Sequence, residues 1–218
     1  MDGIPPIDAF MNEIWNIYSG RDLKKFEKEK EYNSKTLIDI KGMLKYLKAK
    51  KKGKAIKWLS VGVGEGRDLE VLCAKGLSPI NIDFWGIDLS KEHFAKIEER
   101  ANELEISKVT LEVISAEKMN FKSKFDLISA ILVLHEVDPV KLPWIIKNML
   151  RALKKDGTLV ISDFQKPYEL KRDVVVWNID DITYLLKQIS PKSGVSFEIM
   201  KSREYPEDLD FILVLLKR

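Results

Sequence analysis

The sequence predicts an α/β fold built on a mostly parallel sheet of seven strands that finishes antiparallel. Three observations predict it. From Ala55 onward, short apolar runs alternate with stretches of helical periodicity, as βαβ units do. A glycine-rich turn, Gly62-Val63-Gly64-Glu65-Gly66, joins the first apolar run to the helical pattern behind it. The last two strand-like runs are separated only by the loop around Tyr205-Pro206-Glu207. That loop has no room for a crossover helix, so the two runs pair antiparallel.

Taken in order, Ile7, Phe10, Ile14 and Ile17 fall at helical spacing, as do Leu37, Ile40, Leu44 and Leu47, with Gly53 as a stop signal. Residues 1–54 are therefore expected to form a helical cap within the same domain as residues 55–218. Strands are expected at Ile56–Val61, Ile82–Asp88, Val109–Ser115, Phe125–Ala130, Thr158–Asp163, Ser196–Lys201 and Phe211–Lys217. Helices are expected at Arg67–Lys75, Lys91–Leu104 and Pro143–Leu153. In the second of these Phe94, Ile97, Ala101 and Leu104 share a face, and Ser90 is placed to cap its start. The insertion Gln165–Trp177 stands where a substrate lid would lie, giving a lid at 164–178. Ile182, Leu185, Leu186 and Ile189 mark a further helix packed on the sheet.

Composition narrows the function classes. With 218 residues and 45% hydrophobic content the chain can bury one sizeable core. No apolar run approaches the roughly 18 residues that span a bilayer, and the first residues lack the pattern of a secretory leader. The single Cys73 permits no internal disulfide and no cysteine-rich metal site. A cytoplasmic protein without metal or membrane partner is expected. The net charge of +3, from 37 basic against 34 acidic residues, argues against a dedicated nucleic-acid binder. Lys48, Lys50, Lys51, Lys52 and Lys54 form a basic run, but without interleaved aromatic residues it reads as a solvated helix end. Charged residues make up 33% and glutamine occurs only at Gln165 and Gln188, a pattern of high-temperature proteins.

The glycine turn carries the first functional signal. It follows the buried run Lys57-Trp58-Leu59-Ser60-Val61, and strand-to-helix turns of open α/β sheets are where ligands bind. Gly62 and Gly64 allow close backbone approach to a ligand, and the helix start offers N–H groups to an anion. The dinucleotide fingerprint G-x-G-x-x-G is not met, because Arg67 stands at its third glycine. Asp88, ending Phe84-Trp85-Gly86-Ile87-Asp88, can accept hydrogen bonds from two vicinal ribose hydroxyls. Alternatively, it caps the segment that follows.

From Ile56 to Asp163 the chain resembles the class I S-adenosylmethionine-dependent methyltransferases, especially the small-molecule group. The segments that carry the resemblance come in order: Leu59–Arg67, Gly86–Ser90, Ser115–Met119, Phe125–Ala130 with Val133–Val137, and Leu150–Ile161. The resemblance implies a Rossmann-like, doubly wound sheet with helices on both faces and S-adenosylmethionine as cofactor, with S-adenosylhomocysteine as product. It implies that Gly62 and Gly64 let the backbone approach the methionine part, with Val63 and Gly66 also among the cofactor-binding residues, and that Asp88 holds the ribose with Leu89 beside the adenine. Ala116 and Glu117 would face the adenine ring, and Ala130 and Ile131 the reacting methyl. Two positions depart from the family pattern. Ser60 stands where an acidic residue is usual, so a charged partner is either missing or replaced by a hydrogen bond; Ser115 stands at another often acidic position, with Glu117 two residues later as the candidate substitute.

Methyl transfer from a sulfonium rests largely on orientation, with a base needed only when the acceptor must lose a proton. His135 and Glu136, just past the fourth strand, are the candidate catalytic residues; packing of the loop before Asp138-Pro139 is the other reading. Tyr18, Asp163, Tyr168 and Trp177 are the candidate substrate contacts. No Asn/Asp-Pro-Pro-Tyr/Phe segment follows the fourth strand, where Ser129-Ala130-Ile131-Leu132 stands instead, and Cys73 reads as packing rather than as a nucleophile. A small-molecule acceptor is thus expected, on a monomer or homodimer. The alternatives are an RNA or protein methyltransferase, or a non-catalytic S-adenosylmethionine-binding partner.

Overall fold

The computed structural model describes residues 34–73, 81–164, 177–193, 196–205 and 210–217. Along them run α1 (Ser34–Lys51), β1 (Ile56–Val61), a 3-10 turn (Arg67–Leu69) and α2 (Glu70–Cys73). Then come β2 (Ile82–Asp88), α3 (Phe94–Glu103), β3 (Lys108–Val113), β4 (Phe125–Ile131) and a second 3-10 turn (Leu134–Glu136). The chain continues through α4 (Leu142–Ala152), β5 (Leu153–Phe164), α5 (Ile179–Ser193), β6 (Phe197–Tyr205) and β7 (Asp210–Lys217). The expected helix over 7–17 lies outside the described residues, as do most of the expected lid and the end of the Arg67–Lys75 helix.

The sheet order is β3-β2-β1-β4-β5-β7-β6. The pairings among β1 to β5 are parallel, and β7 is antiparallel to both β5 and β6. The chain works outward from β1 to β3 and then returns to place β4 on the other flank of β1. Strand order therefore reverses at β1/β4, which opens a crevice at the carboxyl ends of these strands.

Strand alternation sends side chains to two separate cores. On one face Leu59, Val61, Ile128 and Ile161 pack with Ile146, Met149 and Leu150 of α4 and Ile182 and Leu186 of α5. On the other, Trp58, Phe84, Leu127 and Val160 pack with Ile40, Leu44 and Leu47 of α1 and Ile97 and Ala101 of α3. Helices thus cover both faces. The helical stripe expected around Ile40–Leu47 is core, and Gly53 follows α1 with φ 85°.

Three local expectations are corrected. Ser90 does not cap α3: the cap position is His93, without a side-chain bond, and the Ser90 hydroxyl accepts the N–H of Glu92 instead. The helix after the glycine turn opens as a 3-10 turn before its first α-helical residues. The fifth strand begins at Leu153 rather than Thr158, because its first residues pair with Phe125 before the register shifts. That irregularity contains Asp156 at φ 59° and Gly157, where a β-carbon would lie 2.9 Å from Lys154 O.

The basic run is partly consumed by the fold. Lys51 and Lys154 bring their ammonium groups to Asp126 at 3.0 and 2.9 Å, and the N–H of Lys57 donates to the same carboxylate at 2.9 Å. Asp126 is near the start of β4, so this knot ties α1, β1, β4 and β5 together at the end of the sheet opposite the crevice. Among the described residues, no helix is long and apolar enough to cross a membrane.

Candidate functional site: the crevice at the carboxyl ends of β1, β2 and β4

The glycine turn leaves β1 and folds back on itself. Gly62 and Val63 donate their N–H groups to Ile87 O at 2.9 and 3.1 Å, and Gly66 donates to Val63 O at 2.8 Å. Gly64 donates to Asp88 Oδ2 at 2.9 Å. These N–H groups are engaged by the end of β2 and by the turn itself, which fixes the shape of the loop. At Gly62, φ 66°, a β-carbon would lie 2.3 Å from Val133 Cγ2, so packing against the wall demands glycine there. Gly64 differs. Among the described residues a β-carbon at that position would meet only Gly62 O at 4.0 Å, and the position borders the crevice.

The crevice encloses about 520 Å³, a size suited to a cofactor-sized ligand. Gly62, Gly64, Asp88, Leu89, Ala116, Glu117 and Glu136 of the expected site residues line it. Asp88 accepts Gly64 N–H with one oxygen and Ser90 N–H, at 3.1 Å, with the other. A carboxylate has about four acceptor positions, so two N–H bonds leave capacity for a diol. Leu89 is 77% exposed at the rim. Opposite them, Asn148 of α4 donates to Ala116 O and Glu117 O at 3.2 and 2.8 Å and fixes the 115–117 backbone as a wall. Lys141 closes this side by an ion pair with Glu117 at 3.1 Å.

Other expected residues stand elsewhere. Val63 and Gly66 are buried, the latter with the space for a β-carbon taken by Ile97. Ala130 is fully buried and Ile131 packs toward the α1 side. The crevice wall is formed instead by the next two residues, Leu132 and Val133; Leu132 has φ 53° and donates its N–H to Ser162 O. Asp163 is wholly buried and accepts the N–H groups of Leu134 and His135 at 2.7 and 3.1 Å. Its other oxygen lies 2.8 Å from His135 Nδ1, while His135 Nε2 lies 3.4 Å from Glu136 Oε1. Trp177 donates its indole N–H to Leu134 O at 3.1 Å and packs beside this turn. Tyr18 and Tyr168 lie outside the described residues.

Two contributors escape a reading of the sequence. Asn148 is one, since nothing local links a mid-helix asparagine to residues 116–117. Asp68 is the other. Its buried carboxylate, on the 3-10 turn after the glycines, is hydrogen-bonded by Ser129, at 2.5 Å, and by Ser60. Trp58 Nε1 extends the chain of bonds to Ser129 Oγ at 2.9 Å. Burial pushes the Asp68 carboxyl above its ordinary range, and the two serines and its own backbone N–H only partly offset this. Ser60, which stands where the family usually has an acid, is hydrogen-bonded to an acid eight residues further along.

Residues 52–203 match the family model described as a methyltransferase domain. The chain belongs to that methyltransferase-domain family. It is an S-adenosylmethionine-dependent methyltransferase by family and fold. Solved structures agree on the fold. A Pyrococcus horikoshii OT3 protein is 19% identical, with a TM-score of 0.58 over 92% of this chain and 93% of its own. Magnesium protoporphyrin IX methyltransferase from Synechocystis PCC 6803, solved with bound S-adenosylmethionine, is 14% identical, with a TM-score of 0.58 over 95% and 96%. A TehB-like S-adenosylmethionine-dependent methyltransferase from Corynebacterium glutamicum is 18% identical, with a TM-score of 0.55 over 78% and 85%. No curated protein sequence matches the chain at a significant level.

Proposed function

We propose that the methyltransferase holds S-adenosylmethionine in this crevice and methylates a small molecule. The ribose would lie against Asp88, the adenine between Leu89 and the Ala116–Glu117 backbone, and the methionine part beside Gly62 and Gly64. The observation that carries this reading is the half-used carboxylate of Asp88, set in the crevice wall next to the one turn glycine with open space. Bound there, the cofactor supplies a methyl group already activated by its sulfonium. The protein's own part is to position it, to keep water from it, and to deal with any proton the acceptor gives up.

Electrostatics favour a small molecule over a nucleic acid. Asp88, Glu117, Glu136 and Asp138 line the crevice against the single cation Lys141 among the lining residues. Such a wall repels a polyphosphate, and the lysines of the basic run that pair with Asp126 and Asp156 stand at the far end of the sheet.

Calorimetry with S-adenosylmethionine, S-adenosylhomocysteine and NAD tests the reading. Either adenosyl ligand should bind, and Asp88→Ala should weaken binding by about tenfold or more, since a buried diol loses its acceptor. No affinity for either adenosyl ligand at millimolar concentration would sink the proposal. For the acceptor, labelled methyl groups should enter the small-molecule fraction of a cell extract. Label found only in RNA or protein would overturn that half.

A further inference from the structure

Asp163, His135 and Glu136 stand in a row that leads from the buried end of β5 to the crevice. Both oxygens of Asp163 are engaged: one by the N–H groups of Leu134 and His135, the other by the His135 ring at 2.8 Å. A carboxylate only accepts, so Nδ1 is the ring's donor to Asp163, and Nε2 is the ring nitrogen that can exchange a proton with Glu136. Nε2 points toward Glu136, with 3.4 Å to Oε1. His135 is 8% exposed, and Glu136 is the member of the three that lines the crevice.

We propose that these residues form a proton relay for a protic acceptor, one that is methylated at a hydroxyl, a thiol or an N–H. The proposal rests on the S-adenosylmethionine reading of the crevice and deepens it. Methyl transfer to such a group forms one bond at the acceptor and breaks the methyl's bond to sulfur, whose electron pair stays on sulfur. One proton is released. Glu136 receives that proton at the crevice, and His135 Nε2 takes it inward. Asp163 is a positioning residue, which holds the ring in one tautomer and one orientation.

The geometry exceeds what a turn cap requires. Capping the 3-10 turn at Leu134–Glu136 needs one carboxylate oxygen, and Asp163 commits its second to the ring. Among the described residues, Asp163 from β5 and Glu136 beside the ring bear on it within 4 Å. Asp88, Glu117, Asp138 and Lys141 are the other charged residues that line the crevice, with Lys141 held by Glu117 at 3.1 Å.

The chain has two histidines, His93 and His135, so imidazole ¹⁵N spectra contain two ring systems, and His93→Gln assigns them. In the cofactor-free protein the neutral His135 ring should show a protonated Nδ1 and a bare, pyridine-like Nε2. Asp163→Asn should invert this. Its single oxygen stays with two backbone N–H groups, so its NH₂ faces the ring and forces the proton to Nε2. Glu136→Gln should lower the pH midpoint of His135, because a neighbouring negative charge is lost. A wild-type ring carrying its proton on Nε2, or a midpoint indifferent to Glu136→Gln, overturns the relay. If Asp163→Asn does not fold, those two measurements still decide.

The product gives an independent check. Methyl ethers, thioethers or amines with no permanent charge are expected, whereas a product carrying a new sulfonium or quaternary ammonium overturns the protic acceptor. Adenosyl binding together with an Nε2–H ring removes the relay and leaves the cofactor reading standing. Failure of adenosyl binding removes the reading beneath it.

Discussion

Asp68 and Ser60 show how a single side chain's chemistry can move without leaving its place in space. Ser60 on β1 is paired across the sheet with Ser129 on β4, and both hydroxyls converge on the carboxylate of Asp68. Burial disfavours its charge, so the folded protein holds the proton to higher pH than the unfolded chain does. Where a folded-state value is raised, stability is fullest below the unfolded value and declines as pH rises toward the folded one. Asp68→Asn keeps polar atoms in place without a charge to desolvate. Its denaturation midpoint should therefore equal or exceed that of the wild type at pH 7, and the difference should vanish near pH 4. Urea titrations at the two pH values check this. A variant that is less stable at pH 7 by the same margin as at pH 4 would show that the charge is not the issue.

At the scale of elements, Asp126 acts oppositely. Burial would raise its carboxyl, but the Lys57 N–H and the ammonium groups of Lys154 and Lys51 outweigh that and hold it below the usual range. Its contribution is present above the unfolded value of about 4 and is lost as pH falls through the folded one. Asp126→Asn should cost roughly 1–3 kcal/mol at neutral pH, as it breaks charged hydrogen bonds at a partly buried site. The cost should shrink on acidification toward pH 2, readable from melting curves.

The elements also show what can be read ahead of a structure. Trp58–Val61 and Phe84–Asp88 announce strands because apolar residues dominate and turn residues bound them. Phe94, Ile97 and Ala101 announce a helix by spacing. Asp88 could be singled out because it ends a strand beside the glycine turn. The links that complete the site are long-range and leave no local trace. Asn148 reaches residues 116–117, Asp163 reaches His135, and Val133 dictates glycine at position 62. Ser90 misleads for the opposite reason: a good capping residue stands there, but the helix starts four residues later.

Over the whole molecule, two faces of one sheet are filled from different parts of the chain. The α1 helix supplies Ile40, Met43, Leu44 and Leu47 to one core, and α4 and α5 fill the other. The abundance of charged residues adds ion pairs such as Arg100–Glu70 at 3.1 Å, although isolated surface pairs contribute little at ordinary temperature. We expect a thermal midpoint above about 60 °C. A calorimetric scan with a lower midpoint would remove the high-temperature reading of the composition.

The position of β7 has a consequence for biosynthesis. It follows β6 in the chain yet lies inside it, hydrogen-bonded to β5 and β6 alike. While a ribosome is still extending the chain, β5 has an open edge and β6 has no neighbour to join. The sheet can close only after the segment Asp210–Lys217 has emerged. Lys217 then fastens the closure, donating to Leu150 O and Leu153 O at 3.0 and 2.7 Å, at the carboxyl end of α4. Until that step the nascent protein carries an unprotected strand edge. A message that stops before codon 210 would yield a chain that bears the whole crevice but keeps that edge, poised for aggregation rather than turnover of substrate.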